Sequence, residues 1–130
     1  MTALWSLNRV VLLFAALAFL LVAVQVSLFH YRGNFRHWTM WTPVIGAPLA
    51  ALLILGYLFA PAPGLRVLLT WFLWIEALGG LGGFGMHARG ITQRLGGFGM
   101  NNVLTGPPIV LPLTLSAFSL LGLVALYWRL

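Results

Sequence analysis

From Val10 to Phe29 the sequence is apolar except for Gln25 and Ser27. Wound as a helix, a run of about 20 apolar residues matches the hydrocarbon core of a bilayer. Three more long apolar stretches follow, divided by segments rich in Pro, Gly, Arg and aromatic residues. In lipid every backbone polar group must be satisfied internally, and runs this long, without strict alternation, specify helices. The expected spans are about 10–29, 44–60, 65–86 and 109–128. A secretory signal peptide has an apolar core of about 7–15 residues and a small-x-small cleavage site. The first run is longer, and Val24-Gln25-Val26-Ser27 is a poor site, so it reads as a retained membrane helix.

Of the 130 residues, 62% are hydrophobic and only 6% charged, where a soluble domain carries roughly a quarter charged. The formal charge of +6 comes from seven arginines, scattered at the ends of apolar runs, against one glutamate. A nucleic-acid binder clusters such charges on one face, so nucleic acid is excluded as a partner and the bilayer is expected. The absence of cysteine removes disulfides, thiolate metal sites and covalently attached haem. Three histidines and one carboxylate are too few for a dedicated protein metal centre. Four arginines (32, 36, 89, 94) fall on one expected face and three (9, 66, 129) on the other, too small a bias to assign orientation.

A polar signature occurs twice, as His30-Tyr31-Arg32-Gly33 and His87-Ala88-Arg89-Gly90. Arg9-Val10 and Arg66-Val67 precede the two copies at equal distance. Pro43…Pro48-Leu49 and Pro107…Pro112-Leu113 follow them. The expectation is an all-α, integral membrane four-helix bundle, a single domain built from two tandem transmembrane helical hairpins by internal duplication. Repeat 1 covers about 9–60 and repeat 2 about 66–128. Two copies in one orientation imply a pseudo-two-fold axis along the membrane normal, with helices one and three on a diagonal.

Met1 to Asn8 reads as an amphipathic lead-in with Trp5 at the interface. Phe29 to Thr42 reads as a polar-aromatic loop in which Gly33-Asn34 stops the first helix. Pro43 opens the second helix and Pro48 kinks it mildly. Pro61-Ala62-Pro63-Gly64 is a tight turn. The third helix ends near Met86 despite five glycines between 79 and 85, because unsatisfied backbone in lipid costs more than poor propensity. A loop from His87 to Gly106 follows. It repeats at 95–100 the hexapeptide Leu-Gly-Gly-Phe-Gly-Met of 81–86, and the second copy reads as loop or re-entrant.

Four constellations could carry function. Helical spacing sets Glu76, Gly80, Gly83 and His87 on one face. A membrane carboxylate costs about 2.5–3.5 kcal/mol at helix centre on insertion scales, so Glu76 must point inward, in a neutral, hydrogen-bonded form. Ser116 and Ser119 lie at matching depth, with Tyr57 nearer the terminal face. The pattern Gly79-x3-Gly83, with Gly80, marks close helix packing. His30 and His87 end repeat-related helices and could converge on a b-type haem, with Arg32 and Arg89 near its propionates; His37 reads as an exposed loop residue. Finally, Tyr31, Arg32, Arg36, Trp38 and Trp41 are residue types that dominate interface energetics.

No catalytic motif stands out. The leading expectation is a small non-enzymatic, multi-pass subunit of a larger membrane protein complex, respiratory or photosynthetic, in a bacterial inner membrane. It would stabilise or dock other membrane subunits. The alternatives are a haem b- or quinone-binding electron-transfer anchor and a small proton-coupled transporter working around Glu76.

Overall fold

A computed structural model describes residues 5–129 of the chain, and those residues form helices and connections without strands. Four helices are long and apolar enough to cross a membrane: α1 (Leu7–Arg32), α2 (Trp41–Phe59), α3 (Pro63–Arg94) and α5 (Val110–Tyr127). A short α4 (Met100–Thr105) interrupts the last connection. Leu130 and part of the Met1–Asn8 lead-in lie outside the described residues.

Local chemistry explains most helix ends. Ser6 caps α1, its hydroxyl accepting from the Arg9 N–H at 3.4 Å. Pro63 starts α3, where a missing N–H is harmless. After α1 the turn falls on Asn34 (φ 59°) and Phe35 (φ 45°), while Gly33 keeps φ −80°. Their N–H groups reach back to the Tyr31 and His30 carbonyls at 2.9 and 3.1 Å. Left-handed backbone is unfavourable for phenylalanine, and a stacked contact with Trp41, 4.1 Å between ring centres, helps hold it there. Trp41, expected in the loop, is the first residue of α2, which runs through Pro48 without a break.

The largest correction concerns α3. The second His-x-Arg-Gly does not end it; the helix continues to Arg94. Ile91 is fully buried, Gly106 packs against Ile91 and Leu95, and Gly90 faces Pro107. These contacts hold two further turns helical. The stop comes at Gly96 (φ 85°) and Gly97 (φ 128°), where the Asn102 side-chain amide donates to the Leu95 and Gly97 carbonyls at 2.8 and 2.9 Å. With 32 residues, α3 is about 48 Å long at 1.5 Å per residue. It therefore outruns the hydrocarbon core and carries Arg89 and Arg94 beyond it. The second glycine hexapeptide supplies this stop and only the first residue of α4, Met100, as a loop rather than a re-entrant helix.

α1 and α3 each pack on both α2 and α5, so they face one another across the bundle. Ala15, Ala16 and Phe19 of α1 and Ala47, Ala50, Ala51 and Ile54 of α2 are fully buried in one core cluster. Small residues allow the close approach on which helix association in lipid depends. Leu21, Trp71 and Leu78 point outward. At one end the starts of α1 and α3 meet the ends of α2 and α5: Asn8 donates to the Ala125 carbonyl at 2.8 Å. At the other end His30 meets His87.

Candidate functional site

The histidine end brings together the two rings that the repeated signature singled out. His30 and His87 lie 6.4 Å apart between ring centres, their planes inclined at 79°. Pro112 lacks the N–H that would otherwise reach the Pro108 carbonyl four residues back. His87 Nδ1 takes that carbonyl at 2.7 Å, a contact that directs Nε2 elsewhere. His30 is buried and its Nδ1 has no hydrogen-bond partner. Phe35 covers it edge-on at 6.4 Å. Arg32 lies over the Phe29 ring and Arg89 donates to Gln93 at 3.0 Å; both stay exposed.

Glu76, Gly80, Gly83 and His87 do share the inward side of α3, but the polar cluster expected around Glu76 does not form. Its buried carboxyl group turns to α2, against Gly46, where even a methyl group would collide with Oε1. No hydrogen bond or ion pair ties it to another described residue. Ser116 donates instead to the Ala77 carbonyl at 2.6 Å, and the buried Ser119 hydroxyl has no partner. Within the bundle Gly80 and Gly83 pack against Ser116 and Pro112 of α5, whereas Gly79 has nothing within 4 Å of an added Cβ. One helical step separates Gly79 from Gly80, enough to rotate it off the seam.

In the Tyr31–Trp41 segment, Tyr31, Arg32, Arg36 and Trp38 are exposed. Trp41 is exposed as well, with one face stacked on Phe35. His37 is exposed and caps a short 3-10 turn at Trp38–Met40.

Sequence reasoning left Arg9 and Arg66 as plain interfacial flanks. Arg9 Nη2 donates to the Leu58 carbonyl at 2.7 Å and Arg66 Nη2 to Leu126 at 2.6 Å, each the penultimate residue of its helix. Trp5 lies 5.1 Å from the Arg9 guanidinium, and Tyr127 lies 4.5 Å from that of Arg66. Both arginines line a cavity of about 480 Å³. The signal was present: the Arg-Val pair repeats at a fixed distance from each histidine.

No protein-family model, curated protein or solved structure matches this chain.

Proposed function

We propose that the chain is a non-enzymatic integral membrane subunit of a larger complex, docked to a partner helix along the outer side of α3. The observation that carries this reading is a set of three glycines, Gly79, Gly82 and Gly85. All are exposed, and a Cβ added to any of them meets nothing within 4 Å. Each glycine costs about 1 kcal/mol of helix propensity relative to alanine. Facing lipid it also forgoes side-chain contacts. A second helix lying close against the backbone offsets both losses. The exposed Tyr31, Arg32, Arg36 and Trp38 extend the docking surface at the histidine end. Gly82→Leu with Gly85→Leu should leave the isolated bundle folded, yet abolish copurification of stoichiometric membrane partners after mild detergent extraction. Unchanged copurification, or a wild-type protein that extracts alone, would reject the reading.

In the same reading the bundle is a duplicated hairpin. The matched spacing of Arg-Val, His-x-Arg-Gly and Pro-x4-Pro-Leu supports this. So does the repeated contact in which an early arginine of α1 or α3 reaches the last turn of the next membrane helix.

The convergence of His30 and His87 favours one further role, axial ligation of haem b. Nitrogens about 2 Å from a shared metal set two imidazole centres roughly 6 Å apart, close to the separation here. A porphyrin supplies its own four equatorial nitrogens and needs only two protein ligands. Protein isolated from its native membrane should then show a Soret band that His87→Ala removes. A colourless wild-type protein would dismiss the role.

A further inference from the structure

The two arginines at the end opposite the histidines are under-neutralised. Arg9 is the third residue of α1 and Arg66 the fourth of α3, and each guanidinium reaches across to the carbonyl end of a neighbouring helix. The half charges at the two helix starts and the two helix ends gathered there cancel. The full positive charges of Arg9 and Arg66 remain, and Arg129 lines the same cavity. Glu76, the only acidic side chain of the sequence, stands ten residues along α3 from Arg66, about 15 Å away. Carbonyl capping uses one N–H of each guanidinium, and the Nε of each is buried with no hydrogen-bond partner. Buried donors of this kind are normally satisfied.

We infer that Arg9 and Arg66 form an anion site for a phosphate-type oxyanion, supplied by a phospholipid headgroup or by free phosphate. Three features support it. Both side chains line one cavity of about 480 Å³, a volume within the range of small-ligand sites. A guanidinium fork matches phosphate oxygens in charge and geometry. Tyr127 and Trp128 line the cavity and Trp5 lies against the Arg9 guanidinium, and such side chains mark headgroup level. The site draws one arginine from each half of the chain, so neither half holds it alone. It is independent of partner docking on α3.

The test uses the intact protein in phosphatidylcholine nanodiscs with and without phosphatidylglycerol, read by native mass spectrometry and by thermal midpoint. Wild type should retain phosphatidylglycerol over phosphatidylcholine by about ten-fold, the worth of one charge-assisted hydrogen bond. R9Q/R66Q should bring retention to parity, while Arg94→Gln, at the far end, should leave the preference intact. In phosphatidylcholine alone, inorganic phosphate is compared with chloride at equal ionic strength. A midpoint raised by phosphate there, with phosphatidylglycerol displaced by phosphate in the mixed nanodiscs, assigns the site to soluble oxyanions as well. A response to phosphatidylglycerol only assigns it to lipid headgroups. Equal retention of both lipids by wild type, with no phosphate effect, overturns the site without recourse to any variant. So does a folded R9Q/R66Q protein that keeps the preference.

Discussion

Gly80→Leu should destabilise the isolated bundle by about 3 kcal/mol or more, at the upper end of overpacking costs, while Gly79→Leu should leave it at least as stable as wild type. A Cβ at position 80 would lie 2.6 Å from the Pro112 carbonyl oxygen and 2.9 Å from the Ser116 nitrogen, and against the Ser116 hydroxyl. Two of these atoms are backbone and cannot rotate away. The third is held by its bond to the Ala77 carbonyl. Room for leucine can come only from moving α5 off α3. That breaks the Ser116 bond and loosens the contacts of Gly83 with Pro112 and of His87 with Pro108. At position 79 a side chain enters open space and recovers about 1 kcal/mol of helix propensity. Thermal unfolding in one detergent, followed by circular dichroism, separates the two. Equal losses at both positions would mean that the α3–α5 seam has been misplaced.

These neighbouring glycines also show what was legible in the sequence. The four spans could be read because lipid imposes a length and arginine, proline and glycine punctuate the runs. The inward side of α3 could be read as well, since Glu76 and His87 fix the phase of the helix and Gly80 and Gly83 share it. Gly79 was grouped with that packing by the small-x3-small pattern, which sets Gly79 and Gly83 on one side but does not say where the edge of the seam falls. The end of α3 was not legible. His87-Ala88-Arg89-Gly90 looks locally like the terminator of α1, but a terminator needs a turn after it. Past Gly33 the chain turns at Asn34 and Phe35. Past Gly90 the burial of Ile91, together with the Gly106 and Pro107 contacts, prolongs the helix. Those contacts come from 11 or more residues further along the chain, beyond the reach of a local signal. The partner of the Glu76 carboxyl was hidden for a related reason. Serines advertise hydrogen bonds in a sequence, whereas the slot Glu76 occupies is made by the absence of a side chain at Gly46.

That slot leads to a strong coupling between two helices. Gly46→Ala should destabilise the bundle by about 2–3 kcal/mol, a figure set by the cost of a carboxyl group moved into lipid. A methyl group at 46 claims the space of Oε1. The Glu76 side chain can swing, and the cost follows if the carboxyl group, leaving this buried slot, meets hydrocarbon. In a Glu76→Ala background the same glycine substitution should be close to neutral, because its methyl group then fills the space that the carboxyl group vacated. Contacting residues commonly show coupling energies of 0.5–3 kcal/mol in a double-mutant cycle, and this pair should fall near about 2 kcal/mol. The cycle needs only unfolding midpoints of four proteins in one detergent. Additive effects would place the carboxyl group elsewhere than against α2, and Glu76 would then have to be held by a group on another helix or another chain.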